Sequence, residues 1–336
     1  MEIGIGAPVA GAWAGPEQLG RIGRLAEELG YASLWTFQRL LVPPDRGRDF
    51  AYHSVLDPLL SLAYVAACTE RVRLGVAVIN LPFVSPAYLA KQGATLDVLS
   101  GGRFDLGLGI GWSPLEFAAS GATTARRGAR TVEYVAALRA LWANDNDDSV
   151  RFEGEFYTIP ESRMDPKPVQ PSGPPILLGG RVPAALERAG RLADGWMSSS
   201  GTPLAEMAAN VALVRGAAER AGRDPGKLRI VTRGVVRYDP AGVGTPDADG
   251  RRRRLSGSAE QIREDAAWLA EQGVTDLFYD LNWDPRIGDP TADRTAAVER
   301  AEEIIRALAP ETEAGTGTEA GAGTEAGAGA GTGTRD

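Results

Sequence analysis

Residues 89–112, LAKQGATLDVLSGGRFDLGLGIGW, carry a helix, the turn that ends it and the strand that follows. Ala90, Leu96, Val98 and Leu99 supply the apolar side of the helix, and Ser100-Gly101-Gly102 stops it, because glycine enters the left-handed conformation at little cost. Phe104 to Gly109 is short, apolar and nearly uninterrupted, the pattern of a strand covered on both faces in a parallel sheet. Gly107, Gly109 and Gly111 remove side chains at every second residue along one face. Two readings are open: a flat or bulky group lies against that face, or the glycines only let barrel side chains opposite them pack. The dinucleotide fingerprint does not fit. Its third glycine falls on Trp112 or Pro114, and no acidic residue ends a following strand about 20 positions on, where a ribose contact would need it.

Working outward, the same unit repeats. Alternating apolar runs and amphipathic periods predict strands over 3–8, 31–37, 72–80, 104–109, 176–178, 195–199, 228–236 and 274–281. Helices are predicted over 16–29, 57–69, the stretch from 89, 128–142, 183–192, 204–221, 259–272 and 291–308. Residues 113–127 read as a loop, and 150–159 as a small hairpin around Glu153-Gly154. Eight strands alternating with eight helices predict an α/β protein, a closed (β/α)8 TIM barrel with insertions, whose reactive face lies at the strand C-termini. From Glu311 to Asp336 the chain is nearly all Gly, Ala, Thr and Glu, and predicts a disordered tail that cannot bury enough apolar surface to offset its ordering entropy. Residues 1–310 are left as one barrel.

The 336 residues carry a formal charge of −8, which argues against nucleic acid or an anionic membrane as the main partner. Arg251 to Arg254 is the exception, a solvated run or, alternatively, a phosphate or tail contact. Cys68 is the single cysteine, so no intramolecular disulfide forms and the cytoplasm is the expected compartment. One Cys and one His exclude a Cys/His zinc site, and no metal is expected. No leader pattern opens the sequence and no apolar run approaches about 18 residues, so neither export nor membrane spanning is expected.

The predicted strand ends are poor in acids, bases and nucleophiles: no histidine, no neighbouring carboxylate pair, no nucleophile beside a base. Such a mouth suits a cofactor that brings its own chemistry. Gly179-Gly180 ahead of a helix is the best anion site, because bare N–H groups and the positive helix end face outward together, unless the pair only turns the chain. Ser198, Ser199 and Ser200 add hydroxyls from the next strand.

The runs GATLDVLSGGRFDLGLGIGW, RGARTVEYVAALRALWAND with the FEGEFY hairpin, and PKPVQPSGPPILLGGRVPAALERAGRLADGWM resemble the luciferase-like monooxygenase superfamily. They are most like its coenzyme F420-dependent oxidoreductases, over residues 1–308. The resemblance implies a barrel, often dimeric, that binds F420 or FMN at the strand C-termini. It implies a non-prolyl cis peptide at Ala77-Val78 backing the ring, Gly111 and Trp112 near ring or substrate, and Gly179, Gly180 and Ser199 around the phosphate-bearing side chain. Leu178, Ser198 and Gln38 complete the implied cofactor-binding set.

Two departures stand out. Many members end the second strand with Asp-His, the histidine assisting proton transfer; here Gln38 and Arg39 stand there, and neither is an ordinary acid or base at neutral pH. Trp112 replaces a glutamate that some sugar-phosphate-oxidising members use as an acid. The candidate catalytic residues are therefore Trp112, Arg39, which pairs with a cofactor phosphate or substrate carboxylate or else forms a structural salt bridge, and His53, the only imidazole. Three functions are open: hydride transfer between F420 and a small organic substrate, an FMN-dependent monooxygenase with a flavin reductase partner, and a non-catalytic flavin or deazaflavin binder. A homodimer is expected.

Overall fold

The computed structural model describes residues 1–47, 49–50, 52–143, 149–247 and 249–311. In chain order the elements are β1 (Glu2–Gly6), α1 (Pro16–Glu28), β2 (Ser33–Thr36), α2 (Pro58–Ala66), β3 (Arg73–Asn80), α3 (Pro86–Ser100), β4 (Phe104–Gly109), α4 (Pro114–Ala119) and α5 (Arg127–Trp142). Then follow β5 (Val150–Glu153), β6 (Thr158–Ser162), β7 (Ile176–Gly179), α6 (Pro183–Leu192), β8 (Gly195–Met197), α7 (Met207–Arg220) and β9 (Arg229–Val235). The last are β10 (Arg237–Tyr238), β11 (Ser256–Gly257), α8 (Ala259–Glu271), β12 (Asp276–Asp280) and α9 (Arg294–Ala307). Eight strands close a parallel barrel in the order β1-β2-β3-β4-β7-β8-β9-β12, with β12 returning to β1. This is the predicted (β/α)8 barrel. β5 and β6 pair antiparallel as the predicted hairpin, and β10 and β11 form a small parallel pair outside the barrel. All of the expected tail after Glu311 lies outside the described residues.

Local chemistry sets the helix ends. Asp57 caps α2 by accepting from the N–H groups of Leu59 and Leu60, Ser85 caps α3, and Ser258 with Gln261 forms a capping box on α8. Gly101, at φ 65°, closes α3 in the left-handed conformation the sequence predicts. The apolar face of α3 differs from the expected one. The helix starts at Pro86, and its period buries Leu89, Ala90, Gly93, Ala94 and Leu96 while Val98 and Leu99 face out. The predicted loop 113–127 also contains α4, which Ser113 caps and Pro114 begins.

Inside the barrel, two layers lie below the strand C-termini. At the bottom, the fully buried Asp105 pairs with Arg73 at 2.5 Å and Arg229 at 2.9 Å, and Arg229 also meets Asp276 at 2.6 Å. Above it pack Trp35, Leu177, Met197, Val231 and Phe278, with Trp35 stacked on Phe278 at 5.3 Å. Gly75 is bare because the Trp35 ring occupies the place of its side chain, 2.2 Å from where a Cβ would stand. Over this plug the strand ends open upward.

Candidate active site

The ends of β2, β3, β4, β7, β8 and β9 enclose a cavity of about 520 Å³, within the usual range for small-molecule and cofactor sites. Gln38, Arg39, Ala77, Val78, Gly111, Trp112, Gly179, Gly180, Ser198 and Ser199 all line it. Two expected residues do not. Leu178 is buried among the residues that pack the helix layer, because strand alternation turns Leu177 into the barrel and Leu178 away from it. His53 is exposed and lines a separate cleft with Val42 and Pro43, which shares Arg39 and Tyr52 with the mouth.

The glycine face of β4 is already occupied. The β3–β4 register shifts between Val76 and Ile79, and the Ala77-Val78 peptide inside that shift is cis, as the resemblance implied. The displaced strand lies over the glycines: a Cβ on Gly107 would stand 2.1 Å from the Val76 carbonyl oxygen, and one on Gly109 2.5 Å from Val78 Cγ2. Gly111, at φ 69°, is hemmed in by Phe117 and Phe83. The displaced β3 fills the space beside Gly107 and Gly109, while Gly109 and Gly111 still line the cavity with Val78 next to them.

The glycine pair divides its labour. A Cβ on Gly179 would have its nearest neighbour, the Leu108 carbonyl oxygen, at 3.5 Å, so that backbone is open to the cavity. Gly180, at φ 157°, is bare for a different reason: a Cβ there would fall 2.4 Å from Ala185 Cβ of α6. The Gly180 carbonyl accepts from Trp196 Nε1 at 2.9 Å, and α6 begins with Val182 and Pro183 without a side-chain cap. Ser198 Oγ accepts from the Arg233 N–H at 3.2 Å, and the Ser199 hydroxyl faces Thr202 Oγ1 at 3.2 Å.

The opposite wall is built on arginines. Arg39 pairs with Glu116 of α4 at 3.0 Å, and the same carboxylate accepts from the N–H groups of Leu40 and Leu41, so α4 fixes the segment after β2. Structural pairing is therefore the role in which Arg39 is engaged. Its guanidinium is held 4.5 Å from the ring centroids of both Tyr52 and Trp112, and Trp112 itself is 67% exposed. Gln38 Oε1 accepts from the N–H and Nδ2 of Asn80, tying the ends of β2 and β3 together. Arg233, at the end of β9, is buried beside Phe37 and paired with Asp280 of β12. Burial works against its charge, but Asp280 outweighs this and raises its pKa.

Sequence reading missed Glu116, Tyr52, Asn80 and the Arg233–Asp280 pair. Only Glu116 had a local signal, the Ser113-Pro114-Leu115-Glu116 run, with a capping serine and a first-turn proline and acid. Among the described residues no cluster of His, Cys, Asp or Glu fits a metal, and no described helix is long and apolar enough to cross a membrane. The titratable groups on the mouth are Arg39, Tyr52, Arg181 and Arg233. None is an acid–base pair with a nucleophile.

The sequence profile described as luciferase-like monooxygenase matches residues 2–241. The chain belongs to the luciferase-like monooxygenase family. An uncharacterized protein of Mycobacterium tuberculosis is 34% identical over 240 residues, covering 66% of this chain and 81% of that protein. The F420-dependent glucose-6-phosphate dehydrogenase of Amycolatopsis mediterranei is 32% identical over 191 residues, 56% of this chain and 54% of that enzyme. The FMNH2-dependent dimethylsulfone monooxygenase of Pseudomonas putida is 32% identical over 205 residues, 60% of this chain and 53% of that enzyme. Both of these matches span about half of the relative. Among solved structures, a monooxygenase from Streptomyces bottropensis superposes with a TM-score of 0.73 at 24% identity, over 91% of this chain and 98% of the other. An F420-dependent secondary alcohol dehydrogenase superposes with a TM-score of 0.71 at 19% identity over the same shares. These two likenesses are likenesses of fold. Within the luciferase-like family a flavin or deazaflavin is the plausible cofactor.

Proposed function

We propose that this luciferase-like protein is an oxidoreductase that transfers a hydride between the deazaflavin F420 and a small organic substrate. The observation that carries the reading is the mouth itself: a cavity of about 520 Å³ walled by the displaced β3 at Ala77 and Val78, with an open backbone at Gly179 and no acid–base or nucleophilic set among its described lining residues. The residues fit such a group. Val78 would lie behind its ring, while Gly179, Gly180 and Ser199, next to the start of α6, would hold a phosphate. When bound, the cofactor would accept or donate the hydride. The chain positions and shelters: Trp112 and Tyr52 close one side around Arg39, and the plug of Trp35 and Phe278 excludes water from below. Gln38 and Arg39 supply no proton, which leaves solvent at the open side of the mouth, or His53 in the adjoining cleft, as its source.

A second reading keeps the fold and the mouth but uses FMN and oxygen with a separate flavin reductase. It is favoured by the equal, 32% identity to the dimethylsulfone monooxygenase. The test is direct: record the absorbance of whatever copurifies, then titrate F420 and FMN separately. Tight binding of F420 alone supports the first reading, FMN alone the second, and neither defeats both.

A further inference from the structure

Arg233 meets Asp280 through one edge of its guanidinium. Nε donates to Asp280 Oδ2 at 2.6 Å, and Nη2 lies 2.5 Å from that same oxygen, so two nitrogens converge on one acceptor. Nη2 is left without a properly aligned hydrogen bond while its side chain is only 7% exposed. The other carboxylate oxygen, Oδ1, is taken by the backbone N–H and Nδ2 of Asn282 at 3.0 and 2.9 Å, so Asp280 has nothing more to offer.

The placement of the acids gives this a direction. Arg233 lines the mouth, whereas Asp280 stands behind it, outside the lining; Arg39 lines the mouth, with Glu116 behind it in the same way. Each pair is a dipole with its positive end toward the cavity. Arg181 adds an exposed cation, and among the described residues no carboxylate lines the mouth. Phe37, 4.7 Å from the Arg233 guanidinium, gives an apolar flank, and the Tyr52 hydroxyl lies beside the same group.

We infer that Arg233 is a specificity-determining residue that receives an anionic oxygen of the substrate, so that the site takes flat or small organic carboxylates in preference to neutral compounds. A guanidinium fork facing a carboxylate gives the directional pairing that a neutral amide cannot return. This rests on the reading of the mouth as the active site. The same chemistry would suit the phosphate of a cofactor, and the experiment separates the two sources.

Benzoate and the neutral benzamide are the probes, each titrated into the full-length protein by calorimetry, with FMN and F420 titrated in parallel. The wild type is expected to prefer benzoate by about tenfold or more, the effect of one charge-assisted pair. Arg233→Met combined with Asp280→Asn, which removes both charges together, is expected to abolish the preference and leave cofactor affinity within about threefold. Equal affinity for the two probes in the wild type, or a preference that survives in the double variant, overturns the inference. A fall in FMN or F420 affinity as large as the fall for benzoate also overturns it, and assigns Arg233 to the cofactor's phosphate. If neither cofactor binds while the benzoate preference depends on Arg233, the proposed function fails and the anion selectivity stands. Should the double variant not fold, Arg233→Lys keeps the ion pair and loses the fork. It should lower benzoate affinity about fivefold with benzamide unchanged, and unchanged benzoate affinity is the overturning result.

Discussion

Glu116 holds Arg39 at 3.0 Å with both side chains almost fully buried, and the two residues lie on different loops of the barrel mouth. The pair joins the segment after β2 to the insertion after β4, and the backbone N–H groups of Leu40 and Leu41 extend it. Glu116→Ala leaves a buried guanidinium without its counter-charge, and the expected loss is about 3 to 5 kcal/mol of stability in urea unfolding. Combining Glu116→Gln with Arg39→Met should recover most of it, because removing both charges avoids the unpaired one. A single variant within about 0.5 kcal/mol of wild type would show that the mouth does not depend on this joint.

The two glycines of the pair should separate binding from stability. Gly179→Leu places its side chain in the open mouth and is expected to weaken FMN and F420 binding by about tenfold or more at unchanged melting temperature. Gly180→Ala drives a methyl group into Ala185 and should lower stability by about 1 to 3 kcal/mol. Calorimetric titration and thermal melting on both variants decide it; the opposite pattern would mean that the roles are exchanged.

Glu27, near the end of α1, ties that helix to the start of β3. Its carboxylate accepts from the N–H groups of Glu70, Arg71 and Val72. Burial alone would raise its pKa, but those backbone donors together lower it below 4.5. A depressed carboxylate stabilises the fold above its unfolded pKa and loses that contribution as pH falls through the folded value. The melting-temperature gap between wild type and Glu27→Gln should therefore be full at pH values well above 4.5 and shrink as pH falls below it through the lowered folded value. A gap independent of pH would assign the effect of the variant to shape instead of charge.

His53 lies outside the mouth, exposed, with its N–H donating to the Phe50 carbonyl. His53→Ala is expected to reduce turnover by at most about tenfold, since a general acid in contact with its substrate contributes about 100- to 10,000-fold. Steady-state rates with whichever cofactor binds provide the check, and a loss in the higher range would bring His53 into the reaction.

The barrel was legible because each unit repeats a buried apolar run, a glycine or proline boundary and an amphipathic helix, as in Phe104–Gly109 after Gly101. The glycines that marked the mouth were legible as positions, but their reasons were not. What fills the space beside Gly107, Gly109 and Gly180 comes from Val76, Val78 and Ala185, and only the folded neighbours reveal it. Leu178 was misplaced through strand parity, which a buried run of Ile and Leu does not disclose. Arg233 and Asp280 are 47 residues apart on adjacent strands, a separation with no local pattern to betray it.

The interlock between β3 and β4 limits how this chain can change. The carbonyl of Val76 and the side chain of Val78 stand where residues 107 and 109 would carry a Cβ, so neither strand can be rewritten alone. A larger residue on the fourth strand becomes admissible only if the third strand runs straight, and a straight third strand takes away the wall the ligand would rest on. Mutational libraries aimed at reshaping this mouth would therefore do best to leave 76–78, 107 and 109 as one inherited block and to vary the arginine wall, where Arg39, Tyr52 and Trp112 meet through side chains alone.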